Sequence, residues 1–189
     1  MPEHEDWGGR ALSQESFSGE TFVEMDLSEV VTEGCVFEGC TFRGVRFNVS
    51  QHTASAFTNC TFVRCTFFDS SFTGCKLVGS TFEACSLDLL KVSGGDWSFV
   101  TLTGANLSSA TFEDVRMREA DLRSVRASVL RSVDLSGAAL GKADLSGCDL
   151  RGSDLSSLDP STVQLRGAVI TADQAVLLAM AQGLDVRDP

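Results

Sequence analysis

Large apolar residues recur along this chain at every fifth position. Stepping by five from Trp7 to Ala127 gives 25 positions, and 22 of them hold a large apolar side chain, with Thr32, His52 and Ala127 as the exceptions. Eleven of the 13 phenylalanines fall in this register. Near residues 127–130 the frame slips by two, then runs on from Leu130 through Leu135, Leu140, Leu145, Leu150, Leu155, Pro160, Leu165 and Ile170. Each of these positions is labelled i. Position i−2 carries a second signal: from Cys35 to Ala168, 26 of 28 such positions hold Ala, Cys, Ser, Gly or Val, and only Leu90 and Leu158 depart. An α-helix would repeat its apolar residues at 3.6 and a half-buried strand at 2. A period of five is neither. Residues two apart on extended backbone point the same way. Each pentad is therefore expected to form a short extended side with i and i−2 facing inward, closed by a corner of Gly, Ser, Asp and Asn.

Ala143-Asp144-Leu145-Ser146-Gly147, Cys148-Asp149-Leu150-Arg151-Gly152 and Ser153-Asp154-Leu155 show the pattern in its plainest form. They resemble the pentapeptide-repeat family, whose consensus is Ala-Asp/Asn-Leu-x-x, and the resemblance spans roughly residues 7–170. It implies an all-β fold, a right-handed quadrilateral β-helix with four pentads per coil. Closure is physically sound, since four sides of one pentad make a square whose coils stack through backbone hydrogen bonds. At a spacing of about 4.8 Å, roughly eight coils give a rod about 39 Å long. Sorting i by twenty places Phe22, Phe42, Phe62, Phe82, Leu102 and Leu122 in one stacked column. Another column brings Thr32 and His52 together, where a distorted coil is expected. The slip at 127–130 is expected to bend or bulge the rod.

The end of the chain changes period. Thr171 followed by Gln174 is a capping-box pattern, the run Ala175–Gln182 is mostly apolar, and Gly183 suits the residue after a helix. The organisation expected is thus a repeat domain over 1–170 with a tail of about six residues, a helix over 171–184 and a tail over 185–189. A solenoid needs a cap on its open end, and capping uses one helix face. Val176, Leu177, Met180 and Leu184 lie on one side while Leu178 and Ala179 widen the apolar surface. That excess predicts a homodimer joined through the C-terminal helices.

Net charge is −11, unevenly spread: residues 1–40 carry ten acids and one base, residues 41–110 four acids and five bases, and residues 111–189 twelve acids and nine bases. An acidic rod repels nucleic acid and anionic lipid and attracts basic surfaces. No run of 18 apolar residues exists, and the acidic opening lacks the character of a secretory or transit segment; a cytoplasmic location is expected. All seven cysteines (Cys35, Cys40, Cys60, Cys65, Cys75, Cys85 and Cys148) occupy i−2. They are expected to be reduced structural residues rather than metal ligands. Gly137 to Lys142 has one residue too few between its glycines for a phosphate loop. No catalytic motif appears, and a filled core is expected to leave no concave pocket, so no enzyme, cofactor or small-molecule substrate is expected.

Ser50-Gln51-His52-Thr53-Ala54-Ser55-Ala56-Phe57-Thr58-Asn59-Cys60-Thr61-Phe62, and Asp173-Gln174-Ala175-Val176 with Gly183-Leu184, resemble the mycobacterial fluoroquinolone-resistance branch of the pentapeptide-repeat family, related to the plasmid-borne Qnr proteins. That resemblance implies a dimeric mimic of duplex DNA that binds and inhibits DNA gyrase and relieves quinolone action. The acids expected to carry such binding are Asp69, Glu83, Asp88, Asp96, Glu113, Asp114, Glu119, Asp121, Asp134, Asp144, Asp149 and Asp154, with Arg116, Arg118, Arg123 and Arg126 interrupting them. Duplex DNA carries about one charge per 1.7 Å, or roughly 23 over the rod's length, so one protomer supplies about half that density. The alternative is a structural scaffold that binds some other basic partner.

Overall fold

The structure, a computed structural model, describes residues 6–187. Pentads stack in parallel at a twenty-residue offset, which sorts them into four faces. The first face is a seven-stranded sheet of Ala11–Ser13, Val31–Glu33, Gln51–Thr53, Ser71–Thr73, Lys91–Ser93, Asn106–Glu113 and Arg126–Arg131, all paired in parallel. The second holds Ser16–Ser18, Val36–Glu38 and Ala56–Thr58 and continues through single bridges from Ala56 to Asp134. The third holds Thr21–Val23, Thr41–Arg43, Thr61–Val63 and Thr81–Glu83. The fourth is built of bridges, Asp26 to Arg46 to Thr66 to Ser86, and further up Arg126 to Asp144 to Gln164. The result is the expected β-solenoid with one short C-terminal helix.

Period-five burial follows from this geometry. In Thr61-Phe62-Val63 the phenylalanine is fully buried and its neighbours are half-buried. Phe22, Phe42, Phe62 and Phe82 stack with ring centroids 4.8, 4.9 and 4.7 Å apart. Neighbouring columns meet edge to face, as Phe42 does with Phe47 at 5.4 Å, the geometry ring quadrupoles favour. Small residues at i−2 do more than fit. The Cys60 Sγ donates to the Phe37 carbonyl at 3.3 Å, and the Ser80 Oγ donates to the Phe57 carbonyl at 2.6 Å while accepting from the Cys60 amide at 2.9 Å. Cysteine and serine thus satisfy buried backbone that alanine leaves to the ladder alone.

Thr32 and His52 do not distort the coil, contrary to expectation. Their strands stay in register with each other and with Phe72. The Thr32 Oγ1 lies 2.8 Å from His52 Nδ1 and the Ser50 Oγ 2.9 Å from Nε2. The imidazole stacks on Phe72 at 4.5 Å, so a flat ring with both nitrogens partnered takes a phenylalanine's place. Burial pushes its pKa down to about 3, and it is neutral at physiological pH.

The expected bulge is present. Leu107 pairs with Ala127 but Thr111 pairs with Val129, so the register shifts by two between them. Asn106–Glu113 and Arg126–Arg131 run straight through the corner between the fourth and first faces. Below them that corner is a turn with Glu29, Val49, Asp69 and Leu89 at positive φ; Ser109 is not. The mismatch opens the ladder one coil down. Leu27, Phe47 and Phe67 donate their amides to Arg46, Thr66 and Ser86. The equivalent bond from Leu87 to Asn106 is absent, as is the bridge between Ser86 and Asn106. A cleft of 230 Å³ lies there, lined by Phe82, Ala84, Cys85, Leu87 and Thr103–Asn106.

Candidate protein-binding surface

With the interior filled, chemistry is confined to i−1, i+1, the corners and, in the first pentads, the exposed i−2 positions of Glu15 and Glu20. The expectation of no concavity needs correction: besides that cleft, an open groove of 640 Å³ runs past Lys76, Asp96, Asp114, Arg116, Arg118 and Asp134. Phenylalanines and cysteines still fill the centre, so both lie on the outside.

All twelve acids singled out from the sequence are exposed or half-buried, and they divide by geometry. Asp96, Asp121, Asp134, Asp144, Asp149 and Asp154 sit at i−1. Each accepts the backbone amide of the residue two ahead: Ser98, Arg123, Ser136, Ser146, Arg151 and Ser156. This is an Asx turn, which folds the side chain over the corner. It explains why the repeat favours Asp at i−1. Four of these are also ion-paired. Asp96 binds Arg116 at 3.0 Å, Asp134 binds Arg118 at 2.5 Å, Asp121 binds Arg123 at 2.5 Å, and Asp149 binds Arg131 at 3.1 Å and Arg151 at 2.8 Å. The Arg123 hydrogen bonds hold the Asp121 carboxyl down at about 2. Those from Arg151 hold Asp149 well below the usual carboxylate range. Asp69 pairs with Lys91 at 2.6 Å and Glu113 with Arg131 at 3.3 Å. Much of the acidity in the upper half is therefore neutralised locally.

Glu83, Asp88, Asp114 and Glu119 project without an ion pair among the described residues. Sequence reasoning left out a stronger group. Glu15, Glu20, Glu24, Glu29, Glu33 and Glu38 are exposed or half-buried at the lower end, and none has an ion-pair partner among the described residues. The charge count over residues 1–40 was the available signal. Of the aspartates there, Asp26 pairs with Arg46 at 2.9 Å, and hydrogen bonds from Ser28 and then Arg46 hold it at about 2. The four arginines behave as interruptions mainly by pairing; Arg126 alone of the four has no ion pair among the described residues.

The cysteines are all free thiols. Burial pushes Cys60 and Cys148 up to about 12 and Cys75 to about 11. Such thiols are protonated and poor nucleophiles.

The helix spans Ala172–Ala181 with both arms of the capping box made by Thr171 and Gln174. Gln174 also plugs the solenoid's end, because its Nε2 donates to the Leu150 and Ser153 carbonyls at 2.7 and 2.8 Å. Leu178 packs against the core. Val176, Leu177, Met180 and Leu184 face solvent at 41, 50, 57 and 60% exposure, so the apolar side foreseen for pairing is uncovered.

Residues 10–87 match the family model for the SV2A/B/C luminal domain, and residues 85–123 and 128–159 match the pentapeptide-repeat model in eight copies. The boundary falls where phenylalanine gives way at i: ten of the 11 phenylalanines in the register precede residue 87. No curated protein matches the chain. Among solved structures, HetL of the cyanobacterium Nostoc sp. strain PCC 7120, a pentapeptide repeat protein involved in heterocyst differentiation regulation, aligns at 17% identity with a TM-score of 0.55, covering 87% of this chain and 86% of that one. It shares the fold. A trypsin-treated form of QnrB1, a plasmid-mediated fluoroquinolone resistance protein, aligns at 22% identity over 94% of this chain and 100% of its own, with a TM-score of 0.48.

Proposed function

We propose that this chain, a pentapeptide-repeat β-solenoid by fold, is a binding protein that occupies the DNA-binding surface of DNA gyrase and so changes the enzyme's response to fluoroquinolones. The observation that carries the reading is the unpaired acidic surface at the lower end of the rod. Glu15, Glu20, Glu24, Glu29, Glu33 and Glu38 stud its lower end, and a surface that holds DNA must be basic. The stretch Ser50–Phe62 supports the choice of gyrase through its resemblance to the mycobacterial resistance proteins. The chemistry required is displacement, with no bond made or broken.

The active form proposed is a homodimer through the C-terminal helices in the cytoplasm. Val176, Leu177, Met180 and Leu184 support it, since three exposed apolar side chains on one short helix, with a fourth just past its end, are costly in a lone molecule. Two rods end to end would span roughly 80 Å at the strand spacing used above. A supercoiling titration with purified gyrase, with and without a fluoroquinolone, tests the function. Micromolar protein should inhibit supercoiling and reduce drug-stabilised cleavage. No change in either, with no gyrase subunit recovered on immobilised protein, would remove the assignment and leave the fold standing.

A further inference from the structure

The corner between the fourth and first faces is built against its own stability. Its turn residue must adopt positive φ, which glycine does at no steric cost and larger residues do only with strain. The other corners of the lower coils mix glycines with other residues at such positions: Gly34, Gly74 and Gly94 with Gln14 and Ala54, Gly19, Gly39 and Gly79 with Asn59 and Phe99, and Gly44 and Gly104 with Glu24, Arg64 and Ala84. From Glu29 to Leu89 this corner has no glycine; it holds Val49 at φ 60° and Leu89 at φ 57°. A β-branched residue there is a true outlier. Neither side chain helps the core, for Val49 is 42% and Leu89 43% exposed.

Phe68 stands between them and is 49% exposed. It is one of only two phenylalanines outside the five-residue register. The Val49 amide donates to the Phe68 carbonyl at 2.7 Å, and the Asp69 amide to the Asp88 carbonyl at 3.0 Å. Val49 and Leu89 thus stand two coils apart in one corner column, Phe68 stands on the coil between them next to Asp69, whose carboxylate is answered by Lys91, and the acids Glu29 and Asp88 flank the set. Lone exposed apolar residues are ordinary, but a contiguous set with a charged rim marks a protein contact. Beside Leu89 the ladder is open, its amide held by the Ser109 Oγ at 3.1 Å instead of a carbonyl. The same corner thus combines strain, apolar exposure and a local break in pairing, and strain of this kind gathers at functional sites.

We infer that Val49, Phe68 and Leu89 form an apolar docking ridge for a protein surface with an aliphatic or aromatic pocket ringed by Lys or Arg. The acidic flanks set the sign of the rim. Nucleic acid and anionic lipid are excluded by the same charges. The inference rests on the function proposed above and places that pocket on gyrase. A phosphate backbone offers no apolar counterpart, so the ridge would give the protein a contact that DNA lacks.

The test uses the full chain carrying Val49→Gly, Phe68→Ser and Leu89→Gly. Glycine relieves the positive φ, so the thermal midpoint should be unchanged or higher and the oligomeric state the same. Inhibition of gyrase should need about tenfold more protein, the effect of losing a modest interface anchor. Its salt dependence should persist, because the acids remain. Wild-type inhibition matched by the variant would overturn the ridge and leave the proposed function intact. A wild-type protein without effect on gyrase would overturn both.

Discussion

Phe62→Ala probes the feature on which the rod depends. The ring is fully buried, stacked between Phe42 at 4.9 Å and Phe82 at 4.7 Å, with Phe67 edge-on at 5.5 Å and Phe47 at 6.0 Å. Truncation removes a buried aromatic from the middle of a column whose neighbours above and below are hydrogen-bonded in register and cannot close the gap. The expected loss is about 3–5 kcal/mol. Against a total stability of about 5–15 kcal/mol, that is a large share, so the variant melts early. Phe68→Ala is the internal control: the same residue type but half exposed, it should cost within about 0.5 kcal/mol. Urea denaturation followed by far-ultraviolet circular dichroism reads both. A Phe62→Ala loss below about 1 kcal/mol, or equal effects for the two, would refute the inward assignment of the five-residue register.

His52 binds no proton in the folded state until the pH nears 3, whereas the unfolded chain takes one up near its ordinary 6.5. Its stabilisation is therefore complete above pH 6.5 and falls as the pH drops towards 3, by at most about 1.4 kcal/mol per pH unit; His52→Phe should flatten this limb, and an unchanged slope would show that the ring is not buried neutral. Asp26 and Asp121, lowered from 3.8 to about 2, contribute stability that is lost as the pH falls through that window, so the limb above about pH 4 belongs to His52 and the steeper one below it is shared. Leu177→Asp or Met180→Asp should give monomers with unaltered circular dichroism, checked by analytical ultracentrifugation; a wild-type monomer at micromolar concentration would remove the dimer. Changing Glu24, Glu29 and Glu33 to Gln should weaken gyrase inhibition more than Asp121→Asn with Asp149→Asn, because the latter carboxylates are already answered by arginine; the reverse order in a supercoiling titration would put the binding surface on the upper coils.

Much of the fold was legible because period five leaves few structures open. Phe at i and Cys or Ser at i−2 fix an inward pair, and a twenty-residue sort fixes the columns. His52 reads as a misfit because hydropathy ignores partners: Thr32 and Ser50 supply both hydrogen bonds from positions the register itself brings together. The break beside Leu87 was not legible. It arises from a mismatch between a turned corner at Leu89 and a straight one at Ser109, and Ser-Ser reads equally well as either. The acids were visible as charges, but not their division. Whether Asp149 faces a partner or Arg131 depends on which residues stack one coil apart: Asp149 bridges Val129, and Arg131 reaches it from two residues further along that strand.

Competition is the measurement closest to the central claim. Fluorescence anisotropy of labelled duplex DNA bound to gyrase, titrated with the wild-type protein, reports whether both occupy one surface. The account predicts full displacement, a midpoint that rises in proportion to the DNA concentration, and weaker binding as salt shortens the reach of exposed charges to about 8 Å. The salt slope should be shallower than that of DNA, since the rod carries fewer charges per length. A titration in which the protein binds gyrase while the DNA stays bound would contradict mimicry, because the two would then sit on different surfaces.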